Sequence, residues 1–505
     1  FNGNIGIKNP DPKYKVDVSG NLKFTNKDTF FFIDSDSTDY KIIYEMGLDN
    51  ENYDNYNTII DDTNYVYKNI LLLKITNVSS FKENTIFLDD KGNVYSTGDY
   101  SNGKLGLGKE YIYNYINIPT KINLQDTIID MVHGGNHMYL LSDNGRIYFS
   151  GDNSNLQSGL NNFNVDSLYI DPINININFD VSKIALGLDH SVILTTSGEV
   201  FVCGSNEYGQ LGLGLRNDNM LTYLKQKKFT KIEKFLYNDN SNNEGTIPLI
   251  VDIECGSYST FIIDASGRAY GCGKNESGQL GIIPHFDLLI NNNSENIHMF
   301  KRIEYLDDGN NNTYLWNNVT NDNEYPEVND EYKIKKISAC GEQFHILTET
   351  NNIYFFGLIY DDIYDNDISF NTILSRYYNR RSINNLFNSY INNFSSYMDD
   401  ISNSVIYPIK YKNFFKTYKN KTLKNIFTGK ESLYILDNYN SLYSIGYNYK
   451  YQLGTTNQSL NDITTNIDFV DNHIVTISVG MHNVFYTNVN NDIYCFGHNV
   501  NGNLG

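Results

Sequence analysis

The sequence has few of the residues that a disulfide-bonded or membrane-spanning architecture requires. Only 5 of its 505 residues are cysteine, namely Cys203, Cys255, Cys272, Cys340 and Cys495, and they lie far apart in apolar runs such as "FVCG" and "YCFG". This odd and scattered set predicts neither a disulfide framework nor a zinc site. We therefore expect small buried thiols and folding in a reducing compartment. No apolar run approaches the roughly 18 residues of a membrane span, so no membrane span is expected.

Positive charge is also scarce. The chain has 39 Lys and Arg against 59 Asp and Glu, which gives a formal net charge of -20. Such a surface repels phosphate backbones, so nucleic acid is not expected as a partner, whereas a basic protein is compatible with this charge. Neither a Ser/His/Asp nor a Cys/His arrangement has a recognisable local signature. We therefore predict no catalytic residue, no metal, no cofactor and no enzymatic activity.

Glycine-led segments recur along the whole chain. The stretch "CGSNEYGQLGLG" (203–214) has counterparts at 97–108, 272–281, 445–454 and 496–505, and weaker copies at 150–159 and 356–362. Seven glycines lead these copies: Gly98, Gly151, Gly204, Gly273, Gly357, Gly446 and Gly497. Their successive separations are 53, 53, 69, 84, 89 and 51 residues. A base period of 51–53 residues, stretched by insertions, is typical of a repeat architecture.

A second pattern lies upstream of each glycine and predicts a β-hairpin. Its clearest copy is "LGLDHSVILTTSGEVFVCG" (186–204), in which two apolar runs flank the turn Thr196-Ser197-Gly198. Runs such as "VIL" and "VFV" are apolar throughout, which fits strands that are buried on both faces. Glycine at the strand ends fits a positive φ angle and a close approach of neighbouring backbones. An all-β fold is therefore expected.

With these residues the chain resembles the regulator of chromosome condensation repeat family, over about residues 68–505, and "GLDHSVILTTSGEVFVCGSNEYGQLGLG" (187–214) is a near-ideal copy of its repeat. The resemblance implies a seven-bladed β-propeller. It does not imply one function, because the family includes exchange factors for Ran-type GTPases, ligase accessory domains and scaffolds. The sequence ends at Gly505 where other copies continue, so either the segment around 36–66 or residues beyond 505 are expected to complete the last blade.

One glycine-rich stretch imitates a phosphate-binding loop. The segment "GKLGLGKE" (103–110) nearly matches that loop but has Glu110 where the magnesium-binding hydroxyl belongs. It is also in register with "GQLGLGLR" (209–216), which has no lysine there, so repeat punctuation is the favoured interpretation over a nucleotide site at Lys109. The acidic runs "DSDSTD" (34–39) and "YDDIYDND" (360–367) lack the glycine and final Glu of a calcium loop, and solvated loops are expected.

Two histidines have a spacing that metal ligands use on helices. His133 and His137 are four residues apart, but they fall at a predicted strand entrance. His137 aligns with His190, with His482 and, offset by one residue, with His345, so it occupies a repeat position. Structural hydrogen bonding is therefore favoured over metal binding.

Three insertions depart from the plain repeat, at about 217–248, 282–332 and 359–424. Long loops on a rigid ring are where a scaffold keeps its specificity. Within the last insertion, residues 372–401 have mainly helical apolar spacing, which predicts a helix that either covers the propeller rim or docks a partner. The partner-binding candidates in the insertions are Trp316, Arg376, Tyr377, Tyr378, Arg380 and Arg381. Local packing is the alternative role for Trp316.

The first residues follow another pattern. The segment "IGIKNPDPKYKVDVSGNLKF" (5–24) resembles a short motif of phage tail fibres and related viral fibres and adhesins. Its matching residues are Gly6, Ile7, Pro12, Val16, Asp17, Val18 and Gly20. The resemblance implies a stalk or attachment segment, so a short β segment at 1–67 is predicted to anchor or oligomerise a propeller at 68–505.

These observations favour a non-enzymatic structural or attachment component of a giant-virus or phage-like virion, a propeller head on a fibre-like anchor. Capsid or fibre proteins are the expected partners, and a homo-oligomer could form through the first segment. The virion is the expected location, and otherwise the cytoplasm. Two alternatives stay open: an intracellular protein-interaction scaffold, including a ubiquitin-pathway accessory domain, and a guanine-nucleotide exchange factor for a Ran-type GTPase.

Overall fold

The computed structural model describes residues 5–7, 16–18 and, with gaps, 75–498. The longer gaps are 109–114, 161–167, 215–223, 237–243, 283–295, 316–332, 359–403, 411–420 and 455–463. The chain divides into two compact units, residues 1–75 and 76–505. In the first unit, strand β1 (Ile5–Ile7) pairs in parallel with β2 (Val16–Val18), with Ile5 opposite Val16. The division between an anchor at 1–67 and a propeller at 68–505 stays a prediction.

The second unit is a seven-bladed β-propeller. Four of its blades are plain four-stranded antiparallel sheets in the described part of the chain. Blade 1 contains β3 (Ile75–Phe81), β4 (Asn84–Asp89), β5 (Val94–Asp99) and β6 (Tyr115–Lys121). Blade 2 contains β7 (Ile128–His133), β8 (His137–Ser142), β9 (Ile147–Asp152) and β10 (Leu168–Ile175). Blade 3 contains β11 (Val181–Leu186), β12 (His190–Thr195), β13 (Val200–Ser205) and β14 (Lys225–Lys231). Blade 6 contains β27 (Leu423–Gly429), β28 (Ser432–Asp437), β29 (Leu442–Gly446) and β30 (Thr464–Asp471).

Blades 4 and 5 each have an additional hairpin on the outer edge. Blade 4 contains β17 (Ile250–Cys255), β18 (Ser259–Asp264), β19 (Ala269–Gly273) and β20 (Ile297–Arg302), and the hairpin of β15 (Lys234–Leu236) and β16 (Glu244–Thr246) joins β20. Blade 5 contains β23 (Ile334–Cys340), β24 (Gln343–Thr348), β25 (Ile353–Leu358) and β26 (Ser404–Lys410), and the hairpin of β21 (Tyr305–Asp307) and β22 (Thr313–Leu315) joins β26. In both blades the hairpin comes from the connection that precedes the blade.

Blade 7 has three strands among the described residues: β31 (Ile474–Val479), β32 (Asn483–Asn488) and β33 (Ile493–Gly497). Its inner strands close the ring against blade 1. The Ser80 amide donates a hydrogen bond to Ser478 Oγ (2.9 Å), and Ser80 Oγ donates one to Asn483 Oδ1 (3.1 Å). The rings of Phe87 and Phe485 meet edge to face, 5.5 Å apart. The segments proposed to complete this blade, 36–66 or residues beyond 505, lie outside the described residues.

The apolar runs read from the sequence are the second and third strands of the blades. Strand β12, for example, is buried at all six positions. The core lies between neighbouring blades, where side chains of adjacent sheets interdigitate; Val192 and Val202 of blade 3 pack in one cluster with Ile253, Ile262 and Phe300 of blade 4. Burial on both faces explains why these runs do not alternate.

A buried aspartate stabilises several of the tight hairpins. At the end of β18, Asp264 Oδ1 accepts hydrogen bonds from the amides of Ser266 and Arg268, both at 2.9 Å, while Oδ2 accepts from Arg268 Nε (2.7 Å) and Tyr270 Oη (3.1 Å). The same arrangement recurs at Asp89 and Asp437. The backbone amides of the turn have no partner in the strand ladder, and one carboxylate thus accepts their hydrogen bonds.

The structure adds detail to two sequence predictions. The insertions predicted at 217–248, 282–332 and 359–424 contain the outer strands β14, β20 and β26. An outer strand faces solvent, and a polar one such as "KQKKFTK" (225–231) has no apolar run for a repeat search to detect. Cys495 is exposed, whereas Cys203, Cys272 and Cys340 are buried, because β33 is not covered by a fourth strand among the described residues.

Candidate functional site

The ring presents two faces of different construction. One face, here called the loop face, carries the turns between the first and second strands of each blade and the loops between the third and fourth. The other, here called the hairpin face, carries the tight hairpins and the connections between blades. Neighbouring turns of the loop face are tied by backbone hydrogen bonds, for example Leu188 N to Ser257 O (3.0 Å) and Ser257 N to Gly341 O (2.9 Å). The loop face is therefore a rigid platform.

The seven leading glycines shape this platform. All of them have positive φ, from 94° at Gly357 to 128° at Gly446. At Gly204 a Cβ would lie 2.6 Å from the carbonyl oxygen of Asp189, and a similar clash would occur at Gly151, Gly273, Gly357 and Gly497. The amide after the glycine then donates to that same carbonyl, as in Ser205 N to Asp189 O (2.9 Å). Only glycine allows both the dihedral angle and this approach.

The consequence is that two positions come together on the loop face of every such blade. They are the residue before the second strand and the residue after the leading glycine, and their types vary freely among blades. The pairs joined by this hydrogen bond are Asn136 with Asp152, Asp189 with Ser205, Tyr258 with Lys274, and His482 with His498. Sequence reasoning missed these residues. Their signal was available, since they flank the two constant elements of the repeat but vary among the copies.

Blades 3, 4 and 5 join part of this surface into one cluster. The rings of Tyr208 and Tyr258 have centroids 5.0 Å apart, and Lys274 Nζ lies 5.7 and 5.8 Å from those centroids. The same ammonium pairs with Glu342 Oε1 at 3.1 Å. Tyr208 is fixed because its amide donates to Gln210 Oε1 within its own loop (2.9 Å). All four side chains are partly exposed, so the cluster can be contacted from solvent.

Two carboxylates extend this cluster towards blade 2. Asp189 is half-buried, and burial together with the nearby charge of Asp152 raises its pKa. Burial and the charge of Asp189 likewise raise the pKa of Tyr258. Within the described part of the chain, no Lys, Arg or His nitrogen lies within ion-pair distance of Asp152 or Asp189. The surface formed by Asp152, Asp189, Tyr208, Tyr258 and Lys274 is called the acidic–aromatic arc below.

Histidines lock adjacent blades beneath this surface. Ser191 Oγ donates to Gln157 O (2.8 Å), so it accepts from His137 Nε2 (3.0 Å). Thr260 Oγ1 accepts from His190 Nε2 (3.0 Å) in the same way, because it donates to Gln210 O (2.6 Å). Burial lowers the pKa of His137 to about 3 and that of His190 to about 4. These rings are neutral structural links, as predicted for His137.

The predicted alignment is confirmed for His190, which pairs with Gly204 as His137 pairs with Gly151, but it was wrong for His345 and His482. Asn483 pairs with the leading glycine Gly497, so His482 precedes the repeat position by one residue. Gln343 pairs with Gly357, so His345 follows that position by two residues. A slip of one residue sends a side chain to the opposite face of a strand. His482 consequently lies on the loop face, where its ring is 6.3 Å from that of His498.

The inner strands of blades 3, 4 and 5 carry an ion cluster at the hub. Asp252 pairs with Lys183 at 2.6 Å and with Lys336 at 3.2 Å, and Glu254 lies 3.6 and 3.8 Å from the same ammonium groups. Burial opposes the charge on Asp252, but Lys183 and Lys336 outweigh it and lower its pKa. Burial likewise opposes the charge on Lys183, but the negative charges of Glu254 and Asp252 outweigh the effect of burial and raise the pKa of Lys183. The cluster has two positive and two negative charges, and its ion pairs link blades 3, 4 and 5.

The described residues contain no group of three His, Cys, Asp or Glu side chains that could hold a metal ion. They also contain no helix that is long and apolar enough to cross a membrane. The predicted partner-binding residues Trp316, Arg376, Tyr377, Tyr378, Arg380 and Arg381, the predicted helix at 372–401, and Lys109 with Glu110 lie outside the described residues.

Comparisons with known proteins agree with this architecture. Two family models described as "Regulator of chromosome condensation (RCC1) repeat" match, one at residues 181–210 and 250–279 and the other at 197–233. The human Regulator of chromosome condensation is 29% identical over 203 residues, which is 39% of this chain and 46% of that protein. The human Probable E3 ubiquitin-protein ligase HERC6 is 30% identical over 209 residues, 41% of this chain and 19% of that protein. The chain therefore spans about half the length, or less, of the curated relatives it matches.

Solved structures share the fold over most of the chain. Human WBSCR16 superposes with a TM-score of 0.56 at 17% identity, covering 81% of this chain and 86% of that one. Yeast RCC1 (Prp20), in its complex with Kap60, superposes with a TM-score of 0.54 at 18% identity, covering 81% and 78%. The chain is thus a seven-bladed propeller in which residues 181–233 and 250–279 match models of the regulator of chromosome condensation repeat.

Proposed function

We propose that this chain is a non-enzymatic protein-binding propeller whose acidic–aromatic arc receives a basic segment of a partner protein. The observation that carries the proposal is the juxtaposition of the Tyr208–Tyr258 pair with Asp152 and Asp189, two carboxylates that have no cation at ion-pair distance among the described residues. The net charge of -20 adds a long-range attraction for a basic partner.

The chemistry of the arc suits a guanidinium or ammonium group. A tyrosine face attracts a cation within about 6 Å of its centroid, and Lys274 already lies at that distance from both rings. A partner arginine could stack on the same pair and reach Asp189, whose charge is incompletely solvated. Tyrosines in such rigid settings are typical binding hot spots, each costing about 2 kcal/mol or more on truncation.

The test is the binding of a short arginine-rich peptide, measured by fluorescence anisotropy. We expect saturable binding that weakens with salt, and about tenfold or greater weakening in Tyr258→Ala and in Asp189→Asn. Tyr439→Ala on the hairpin face is the matched control and should bind as the unaltered protein does. Equal weakening in the control, or no effect of either arc variant, would refute the proposal.

An exchange factor for a Ran-type GTPase is the second candidate, and the identity of 29% to the human Regulator of chromosome condensation supports it. Such an activity needs no covalent chemistry, because a propeller face would displace the nucleotide from the GTPase. The test is the release of a fluorescent GDP analogue from Ran with a substoichiometric amount of this protein. Release at the spontaneous rate would remove this candidate and leave the binding role intact.

A scaffold role, alone or beside ubiquitin ligases, is a version of the same binding function, and the match to part of HERC6 is what supports it. The virion attachment role rests on the motif at 5–24 alone and stays a prediction, as do the virion location, capsid or fibre partners and oligomerisation through residues 1–67. Mass spectrometry of purified particles tests that role, since a structural component should be recovered in stoichiometric amounts with the capsid. Sedimentation of the purified chain tests the oligomer.

A further inference from the structure

The innermost strands share an irregularity that no function assigned above uses. In six blades the pairing of the first strand with the second shifts by one residue directly after the first pair. The residue that is skipped is Ile129, Ser182, Val251, Lys335, Lys424 or Val475. Bulges of this kind re-aim side chains and are enriched beside functional sites. The six skipped residues are all exposed.

These bulge residues surround the mouth of the central channel on the hairpin face, because the innermost strands line the channel and begin on that face. Three of them are large and apolar, with Ile129, Val251 and Val475 each more than half exposed. Two are lysines, and none is acidic, although acidic residues outnumber basic ones in the chain by 59 to 39. Exposed apolar and basic side chains that lie together at the mouth of the channel are typical of a contact surface.

Both lysines are held without a carboxylate. Lys335 Nζ donates to Leu423 O (2.9 Å) across the boundary of blades 5 and 6, and Lys424 Nζ donates to Asn440 Oδ1 (2.8 Å). Among the described residues, no Asp or Glu oxygen lies within ion-pair distance of either ammonium group. Their positive charge is therefore available to a partner.

Apolar contact surface lies directly beside these lysines. The Ile474 amide donates to Asn440 O (2.9 Å), and the Val489 amide donates to His473 O (3.0 Å), so the hairpin tips of blades 6 and 7 adjoin the start of β31. Tyr439 is 77% exposed and Val489 is 57% exposed. Together Lys335, Lys424, Tyr439, Val475 and Val489 form a continuous basic–apolar mouth over blades 5 to 7.

Among the described residues, the carboxylates nearest this mouth are either engaged or lie at its border. One residue deeper in the channel, Asp252 is neutralised by two lysines, and Asp130 accepts a hydrogen bond from Asn77 Nδ2 (3.5 Å). Asp437 is buried and pairs with Lys421. Exposed acids of this face include Asp90, Asp143 and Glu349 at the hairpin tips of blades 1, 2 and 5, and Asp180 just before β11. The Glu349 amide donates to Lys333 O (2.8 Å), so this acid borders the mouth. The mouth is thus a basic and apolar island inside an acidic rim.

We propose that the basic–apolar mouth docks an acidic amphipathic segment of a partner protein. Its carboxylates would pair with Lys335 and Lys424, and its apolar side chains would cover Tyr439, Val475 and Val489. The acidic rim sets the register, because it repels carboxylates that fall outside the mouth. This site is separate from the acidic–aromatic arc and selects a partner of opposite charge.

The probe is a synthetic amphipathic helix with leucine on one face and glutamate on the other, titrated against the full chain by anisotropy. We expect saturable binding below about 1 mM, and at least about tenfold weaker binding in the double variant Lys335→Glu/Lys424→Glu and in Tyr439→Ser/Val475→Ser. Lys228→Glu reverses the charge of an exposed lysine on β14, away from the mouth, and as a control should leave binding unchanged. Tyr258→Ala should also leave it unchanged, which separates this test from that of the arc.

Three outcomes would overturn the proposal: no saturation below about 1 mM, equal binding of the same helix with lysine in place of glutamate, or equal loss in Lys228→Glu. Co-sedimentation with phosphatidylserine vesicles distinguishes the other anionic ligand. Vesicle binding that is lost in the double lysine variant, without peptide binding, would assign the mouth to membranes instead. Because Lys335 and Lys424 are exposed, their replacement should not change the thermal midpoint, and a midpoint measurement checks this.

Discussion

The hub ion cluster offers a stringent test of how the ring is held together. Asp252→Asn removes one negative charge from between Lys183 and Lys336 and leaves Glu254, at 3.6 and 3.8 Å, as their remaining carboxylate in the cluster. The side chain of Asp252 is 18% exposed and that of Lys183 is 32% exposed, so the charges are neither fully solvated nor fully buried.

The expected cost follows from that intermediate burial. Breaking a fully buried pair costs about 3–5 kcal/mol, and an exposed pair contributes about 0–1 kcal/mol. For Asp252→Asn we expect a loss of about 2–3 kcal/mol in the free energy of unfolding, because two ammonium groups lose their nearest partner. The pH dependence has a definite sign. Since the folded-state pKa of Asp252 is lowered, its contribution is complete above about pH 4 and is lost as the pH falls through that pKa.

The assay is urea denaturation followed by near-ultraviolet circular dichroism at pH 7 and pH 3. The control is Glu199→Gln, which breaks the exposed pair with Lys231 and should cost less than about 1 kcal/mol. The difference between Asp252→Asn and the unaltered protein should shrink at pH 3. A loss no larger than that of the control, or one that is independent of pH, would refute the assignment of the cluster as a staple of blades 3 to 5.

Three further predictions concern the repeat itself. His190→Gln keeps a donor for Thr260 but cannot titrate. Burial lowers the folded-state pKa of His190 to about 4, so protonation of this ring opposes folding as the pH falls. Between pH 6.5 and 4.5 the variant should therefore lose about 2 kcal/mol less stability than the unaltered protein, and equal losses in acid denaturation would contradict this. Gly204→Ala should cost more than about 2 kcal/mol in urea, against about 1 kcal/mol for Gly145→Ala, whose added Cβ meets open space; similar costs would contradict the carbonyl contact. Asp264→Ala should lower the unfolding free energy by about 2 kcal/mol, and a thermal midpoint that does not move would show that its turn amides find other partners.

The parts of the fold that sequence reasoning predicted are those with a strong local cause. Gly204 and its counterparts are recognisable because a positive φ and a close carbonyl leave no other choice of residue. Runs such as that of β12 are recognisable because both faces of the strand are buried. A polar outer strand such as β14 escaped notice, since one exposed side relaxes the pattern that a repeat must keep.

The binding surfaces were beyond prediction for a related reason. Tyr258 and Lys274 are 16 residues apart in sequence, and only the pairing of β18 with β19 brings them together. Lys335 and Lys424 come from different blades, and they are recognised as part of one surface only when the bulges of the six blades are seen to lie around the channel. Such juxtapositions depend on the register of strand pairing. The misassignment of His482 shows that an error of one residue in register is enough to place a side chain wrongly.

The central claim, that the loop face is the platform for a basic partner, is tested most directly by hydrogen exchange of the intact chain with and without the arginine-rich peptide. The account predicts slower exchange of amides at residues 187–190, 206–210, 256–258 and 272–275, with no change in the hairpin tips. Protection that is confined to the hairpin face or to the outer strands would contradict it.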